Sequence, residues 1–411
     1  MMRVLLFVVL FVNLIFADTP DAVLKIEKSV DSRAKISIMA SNDSSKRYIK
    51  KVNKLFISDF KVSGHFLVDE NITTGSYNVI ADSIKSKSLY TLVYKYTTTN
   101  GASLDIKLFK GNPKKQVLHK NYSVSRLEKS PFLIHKAVSD INSAAKFTDI
   151  NWINRYVVLD RYIGAKQTEI MLADYTFTYK KTIMKGGLNL FPMWADKKQR
   201  ELYYSSYKGD DLTLYKVNIY TGQKEVIVKS HGMLACSDVS KDGSKLLLTM
   251  APNSQPDIYL YTNGSSKRLT TFSGIDVSGK FADNDKRVIF VSNRLGNPNI
   301  FKMSVNGGNV SQLVFHGKNN SSVDTYNSQV VYSSKEGRRT YNIYLTDTSS
   351  SQTRPLTSGG INQFPKFSYD GKVLMYIKRL PSGNSIGFIN LSANHSELFN
   401  LGIDRIQSID W

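Results

Sequence analysis

The chain has 411 residues with 41% hydrophobic content, which is enough for two or more domains with their own cores. Its single cysteine, Cys236, excludes an intramolecular disulfide and a cysteine-based zinc cluster. The net charge of +21 comes from basic residues scattered singly or in pairs, a pattern that argues against nucleic-acid binding and favours acidic partners or anionic surfaces.

The first 17 residues have the layout of a secretory signal peptide. An early Arg3 is followed by an apolar run from Val4 to Phe16 and by the small residue Ala17. The run is shorter than the roughly 20 residues of a membrane-spanning helix. We therefore expect an exported protein whose mature chain begins at Asp18 and has no transmembrane segment.

Residues 18–147 predict a small mixed α/β domain. Strands are expected at 23–30, 35–39, 89–97, 102–109 and 116–123. The third and fourth of these flank the hairpin signal Thr99-Asn100-Gly101. Apolar residues at helical spacing predict helices over 44–56 and from Pro131 to about residue 146.

Residues 148–411 contain six copies of one pattern, in which two apolar runs alternate with polar turns. The first runs begin at 157, 202, 246, 288, 330 and 374, and the second runs begin at 170, 214, 258, 300, 343 and 386. Both series repeat every 42 to 45 residues, which is the period of a four-stranded propeller blade. The sequence therefore predicts a mainly β protein with a six-bladed β-propeller at 148–411.

The last ten residues, 402–411, resemble the segment that opens the second copy, 187–194. The first copy lacks such a segment, because helical sequence precedes it. We therefore expect the C-terminal strand to complete the first blade and close the ring, which would leave no free sheet edge.

The sequence offers little chemistry of the catalytic kind, and we expect no enzyme, cofactor or metal site. The Gly383-Asn384-Ser385-Ile386-Gly387 segment fits a nucleophile elbow, but it coincides with a blade turn and strand rather than with a strand, turn and helix. The six histidines show no metal-ligand spacing and no acidic cluster, and are expected on the surface or in loops. Recurring tyrosines are interpreted as packing between blades, and Cys236 as a small hydrophobe.

The loops that lead into the innermost strands are the candidate docking surface. In a propeller they gather around one mouth of the central channel, and here they span 186–191, 231–236, 274–278, 317–321, 359–364 and 401–406. They combine Gly and Asn with apolar residues, such as Met233-Leu234 and Asn362-Gln363-Phe364. Gly and Asn also serve tight turns, but together the loops form an adaptable apolar ring suited to binding another protein.

Several repeat elements carry a family resemblance. They are Val239-Ser240-Lys241-Asp242-Gly243-Ser244-Lys245-Leu246, Phe367-Ser368-Tyr369-Asp370-Gly371-Lys372, and the segment from Asn299 to Gly308. With the leader and the small α/β domain before them, they resemble the TolB family, the periplasmic component of the Tol–Pal cell-envelope system.

The resemblance implies a monomeric periplasmic adaptor with two partners, possessing no nucleic-acid function and supporting outer-membrane integrity and envelope constriction in cell division. It implies that the lipoprotein Pal binds at one propeller mouth. It also leaves room for other envelope proteins as partners. By motif match the Pal-binding residues are Met233, Leu234, Cys236, Val277, Ser278, Asn362 and Gln363. It also implies that TolA binds the N-terminal segment that begins at residue 18, through Asp18, Thr19, Pro20, Asp21, Val23 and Leu24.

Two other classes of propeller remain open. A glycan- or peptidoglycan-binding, lectin-like propeller would carry aromatic residues in its mouth loops, which here lack Trp. A peptidase-associated propeller would accompany an α/β-hydrolase domain, which we do not expect within these 411 residues.

Overall fold

The computed structural model describes residues 33–79, 81–208, 211–350, 352–381, 383–392 and 395–411. The predicted signal peptide and the predicted strand at 23–30 lie outside these residues. The fold is mainly β with a smaller mixed α/β domain before it, which confirms the predicted fold class.

The α/β domain consists of one mixed sheet and two helices. The elements are β1 (Ala34–Ser41), α1 (Lys46–Ser63), β2 (Phe66–Val68), β3 (Thr73–Gly75), β4 (Tyr90–Thr97), β5 (Ala102–Lys110), β6 (Lys115–Val124) and α2 (Ser130–Ala144). Strand β1 runs parallel to β2, β3 and β4, whereas β4, β5 and β6 are antiparallel, giving the order β2-β1-β4-β5-β6 with β3 also paired to β1.

Both predicted helices are present. Helix α1 is longer than expected and ends at Gly64, which adopts a left-handed conformation with φ of 73°. The backbone N–H of Gly64 donates to the carbonyl oxygen of Lys61. Helix α2 begins with Pro131 in its first turn, where a missing N–H costs nothing. Strands β2 and β3 were not predicted, because three residues are too few to show an alternating pattern.

The remaining strands form sets of four antiparallel strands. The first two sets are β30 (Ile406–Asp410) with β7 (Val157–Gly164), β8 (Gln167–Ala173) and β9 (Lys180–Lys185), and then β10 (Asn189–Trp194), β11 (Glu201–Lys208), β12 (Asp211–Asn218) and β13 (Lys224–His231). The next two are β14 (Leu234–Val239), β15 (Lys245–Met250), β16 (Asp257–Thr262) and β17 (Ser265–Arg268), and then β18 (Asp276–Ala282), β19 (Arg287–Ser292), β20 (Asn299–Ser304) and β21 (Ser311–Gln312). The last two are β22 (Asn320–Tyr326), β23 (Gln329–Gly337), β24 (Thr340–Asp347) and β25 (Arg354–Pro355), and then β26 (Ile361–Phe367), β27 (Val373–Leu380), β28 (Gly383–Asn390) and β29 (His395–Asn400). A single parallel pairing, Tyr341 with Ile361, joins these two sets into one sheet.

The first strand of each set contacts the first strand of the next, in the order β30, β10, β14, β18, β22, β26 and back to β30. Strand β30 pairs antiparallel with β7, with Ile409 opposite Leu159. The C-terminal strand therefore completes the first set, which confirms the predicted closure.

An apolar cluster fills each interface between successive sets. Tyr204 packs between the first and second sets, Tyr203 between the second and third, and Tyr376 between the fifth and sixth. These positions confirm that the recurring tyrosines are packing residues. Between the sixth and first sets the cluster is continuous with the core of the α/β domain.

Aromatic rings dominate this shared core. The Trp411 ring lies edge-on to Trp152 at 5.4 Å and to Phe388 at 5.6 Å between centroids, and Tyr175 packs against the same Phe388 at 5.4 Å. The residue that follows the closing strand, Trp411, is thus buried where the α/β domain joins the propeller.

His135 corrects one expectation from the sequence. It was predicted to be a surface or loop residue without an acidic cluster, yet its side chain is completely buried between two carboxylates. Its Nδ1 lies 2.8 Å from Asp59 Oδ2 on α1, and its Nε2 lies 3.2 Å from Asp174 Oδ2 in the β8–β9 turn. The Tyr175 hydroxyl donates to Asp59 Oδ1 at 2.5 Å, so the group connects both helices to the propeller.

Burial disfavours the charged imidazole, but the carboxylates of Asp59 and Asp174 outweigh it and raise the pKa of His135 to about 9. With a carboxylate oxygen at each ring nitrogen, His135 donates from both and is an imidazolium at neutral pH. The joint between the two domains therefore contains a buried cation.

Trp411→Ala should lower the free energy of unfolding by about 3–5 kcal/mol, because it removes a buried indole from the shared core. Removing residues 405–411 altogether should cause aggregation or unfolding. The change is measured by urea denaturation, with Leu398→Ala as the control, since Leu398 on β29 is 45% exposed. A Trp411→Ala protein that melts like its parent would contradict the assigned closure.

His135→Gln should lower the free energy of unfolding by about 3–5 kcal/mol at pH 7, because it leaves two buried carboxylates without their cation. The pKa of His135 is raised on folding, so its stabilisation is complete below pH of about 6.5 and is lost as the pH rises through about 9. Urea denaturation at pH 6 to 10 should show this decline in the parent protein and in the control His231→Gln, whose histidine is exposed. A parent profile parallel to that of His135→Gln would disprove the assignment.

Candidate functional site

The innermost strands place one residue each at the same level of the central channel. These residues are Met193, Asp238, Lys280, Asp324, Lys366 and Asp410. We call them the channel ring. They stand four positions after Asn189, Leu234, Asp276, Asn320, Asn362 and Ile406 respectively, which we call the first positions of the innermost strand pattern. Charges of opposite sign alternate around the channel ring, apart from Met193.

Ion pairs connect neighbours in the channel ring. Lys280 Nζ lies 3.3 Å from Asp324 Oδ1, and Lys366 Nζ lies 3.7 Å from Asp324 Oδ1 and 3.6 Å from Asp410 Oδ1. Burial alone would lower the pKa of Lys280, but the carboxylates of Asp324 and Asp238 hold it above its ordinary value. For Asp238 burial prevails over Lys280 and raises the pKa to about 6.

Each carboxylate of the channel ring also bonds to the backbone of the next set. Asp238 accepts the N–H of Phe281 at 2.7 Å, Asp324 that of Phe367 at 2.9 Å, and Asp410 that of Trp194 at 2.9 Å. These bonds fix the innermost strands relative to one another. The channel ring is therefore a rigid polar floor.

Above this floor each innermost strand has a shift in register against its neighbour, as a β-bulge produces. At the shift, four non-glycine residues adopt left-handed backbone conformations with φ between 53° and 58°: Phe191, Ser278, Ser322 and Phe364. Such conformations cost energy and are held only by the surrounding structure. The bulges turn these residues toward the channel mouth.

A buried carboxylate supports one side of the mouth. Asp160 on β7 accepts the backbone N–H of Ser408 at 2.7 Å with Oδ1 and that of Phe191 at 3.1 Å with Oδ2. Burial raises the pKa of Asp160 to about 6, although these hydrogen bonds favour the charged form. Two neighbouring mouth strands are thereby held by one side chain.

The mouth encloses a cavity of about 350 Å³ above the channel ring. Its walls are largely apolar and include Phe191, Met233, Val277, Val323 and Phe364. We call this space the mouth cavity.

Exposed apolar side chains lie on the same face of the propeller as the mouth cavity, and Met233 among them lines it. Phe315 is 67% exposed and Leu295 64%, and both lie in connections at the end where the innermost strands begin. The other members of this apolar rim are Tyr207, Met233, Ile275 and Leu380. Large apolar residues exposed together around a concavity are typical of a protein-docking surface.

The structure brings together four of the residues predicted from the sequence. Met233, Cys236, Val277 and Ser278 line the mouth cavity. Burial raises the pKa of the Cys236 thiol, which keeps it neutral. Cys236 thus contributes apolar surface, as predicted.

Leu234 and Asn362 need correction, because neither side chain is presented at the mouth. Leu234 is fully buried between the second and third sets. Asn362 is fully buried and donates its amide to the carbonyls of Gly359 at 2.9 Å and Tyr341 at 3.0 Å. Gln363 is half-buried and does not line the mouth cavity. The predicted TolA-contacting residues lie outside the described part of the chain.

Sequence reasoning missed the channel ring, and it placed Phe191 and Phe364 in the candidate docking loops without choosing them as binding residues. A signal existed, since charged residues recur four positions after the start of the innermost strand pattern in five of its six copies.

The nucleophile-elbow pattern has no support, since Ser385 lies within β28 and is nearly buried. Within the described ranges, no group of three or more His, Cys, Asp or Glu residues is arranged to hold a metal ion. Neither described helix combines the length and apolarity needed to cross a membrane.

Comparison with known proteins gives consistent matches. A family model described as "TolB beta propeller domain" matches residues 153–403. The chain is 40% identical over 428 residues to the Tol-Pal system protein TolB of Wolinella succinogenes, covering 100% of both chains. It is 39% identical to that of Helicobacter hepaticus, covering 95% of this chain and 96% of the other. The crystal structure of TolB from Acinetobacter baumannii superposes with a TM-score of 0.73 at 20% identity, over 92% of this chain and 96% of that one, and so supports the fold.

Proposed function

The chain belongs to the TolB family of Tol-Pal system proteins, and on that premise we propose that it is a non-enzymatic adaptor that docks another protein at the mouth cavity. The observation that carries this proposal is an apolar cavity with a rigid polar floor and an exposed apolar rim. A rigid surface loses little conformational entropy on binding, which favours affinity.

The partner proposed for the mouth is Pal, the peptidoglycan-associated lipoprotein. Met233, 37% exposed on the rim, and Val277 in the wall are the residues placed to contact it. Leu234 and Asn362 then act indirectly, by holding the loops from beneath. In this function the protein is monomeric and periplasmic, and it supports outer-membrane integrity and constriction during cell division.

The second proposed partner is TolA, which binds the N-terminal segment at residues 18–25. Two ligands influence each other only when each favours a different state of the adaptor. TolA and Pal are proposed to bind different residues of the chain, and binding of one is proposed to alter the affinity for the other.

Met233→Asp should abolish Pal binding, because it places a charge in an apolar interface. Calorimetric titration of the chain from residue 18 onward with the soluble domain of Pal measures the change. Val226→Asp on the outer strand β13 is the matched control, since Val226 is 50% exposed and outside the mouth. Unaltered binding by Met233→Asp would place Pal elsewhere. If titration of the same protein shows binding of soluble peptidoglycan fragments and no binding of Pal, the lectin-like alternative is favoured.

Deleting residues 18–25 should abolish TolA binding and change the affinity for Pal by about fivefold or more, the lower range of typical coupling between sites. Both affinities are measured by calorimetry, with a chain whose residues 18–25 are replaced by Gly and Ser as a length control. Retained TolA binding would disprove the contact. An unchanged Pal affinity would disprove the coupling alone.

A further inference from the structure

A second cleft opens beside the mouth cavity, between the sixth set and the closing strand. Its volume is about 630 Å³. We call it the seam cleft. It shares Phe364 and Gln407 with the mouth cavity, so the two spaces are contiguous.

The start of the closing strand differs from the start of three other innermost strands, as do those at Leu234 and Asp276. In these three strands an Asn at the first position donates its amide to the preceding loop: Asn189 to Gly186 at 2.7 Å, Asn320 to His316 at 2.7 Å, and Asn362 to Gly359 at 2.9 Å. The closing strand has Ile406 at that position, which has no amide to donate. The residues before β30 therefore lack this particular fastening.

Arg405 lies at the edge of the cleft. Its backbone is left-handed, with φ of 58°, and its carbonyl accepts the N–H of Tyr162 at 3.2 Å. This hydrogen bond holds a conformation that is otherwise unfavourable for a residue with a side chain. The guanidinium of Arg405 is thereby placed on the cleft wall.

A second guanidinium, that of Arg379 at the end of β27, lines the same cleft. Both arginines are exposed, and neither makes an ion pair within the described residues. Asp404 also lies on the wall, where its Oδ1 accepts the Asn384 amide at 3.3 Å. The cleft wall therefore carries two arginine cations and one carboxylate, and that carboxylate already accepts a hydrogen bond from Asn384.

We propose that the seam cleft binds an Asp or Glu carboxylate carried by an extended segment of the protein docked at the mouth cavity. This inference rests on the proposed docking function. Guanidinium groups match a carboxylate in shape and charge and can bind it through two parallel hydrogen bonds. The cleft adjoins the mouth cavity, which allows one partner to occupy both, and the aromatic residues Tyr162 and Phe364 line the cleft where its backbone would lie.

The experiment compares Arg379→Gln, Arg405→Gln and the double variant in titrations with the soluble domain of Pal. The double variant should bind about tenfold to a hundredfold more weakly at low salt, since it loses charge-assisted hydrogen bonds. Its affinity should also depend less on salt between about 50 and 300 mM than that of the parent. Arg338→Gln is the control, because Arg338 is an exposed arginine in the β23–β24 turn of the same face.

Lysine substitutions separate charge from geometry. Arg379→Lys and Arg405→Lys should retain the salt dependence and lose part of the affinity, because an ammonium group does not bind a carboxylate through a planar fork. If the double Gln variant matches Arg338→Gln in affinity and salt dependence while Met233→Asp abolishes binding, the cleft assignment is wrong and docking at the mouth stands. If the parent protein does not bind Pal, both proposals fail.

Discussion

The antiparallel pairing of β30 with β7 is the interaction on which the other features depend. Its backbone ladder closes the circle of strands, and Trp411, which directly follows its last residue, fills the core shared with the α/β domain. Residues Gln407 to Asp410 of the same strand line the mouth cavity. Ring closure, domain docking and the shape of the candidate site therefore share one short strand, and a change in any of them must involve the other two.

The channel ring shows how a narrow polar centre is made compatible with folding. Charges removed from water are costly unless they are paired and hydrogen-bonded. Here Asp324 and Asp410 each bind a lysine and a backbone N–H of the next set, so both requirements are met at once. The same bonds align neighbouring strands, and a channel ring composed of apolar residues would lack this directional restraint.

Much of the architecture could be predicted from the sequence, because repeated apolar runs report four-stranded sets directly and the C-terminal segment repeats the pattern of an innermost strand. The site was harder, since a bulge moves side chains to another face without leaving a mark in the sequence. Leu234 was misjudged for a different reason, since it precedes the register shift and, next to the exposed Met233, points into a core. His135 was misjudged because its carboxylates are 76 and 39 residues distant along the chain.

At the mouth, a strained backbone conformation is stabilised by a hydrogen bond to a buried carboxylate. The left-handed Phe191 is unfavourable by itself, yet its N–H is bound by Asp160, which also holds Ser408 of the closing strand. The cost of the strained backbone is thus offset by a buried carboxylate that would otherwise lack donors. Because Asp160 lies on β7, the partner strand of β30, the cavity wall and the ring seam are held by the same side chain. The shape of the mouth is therefore held by hydrogen bonds within the described residues.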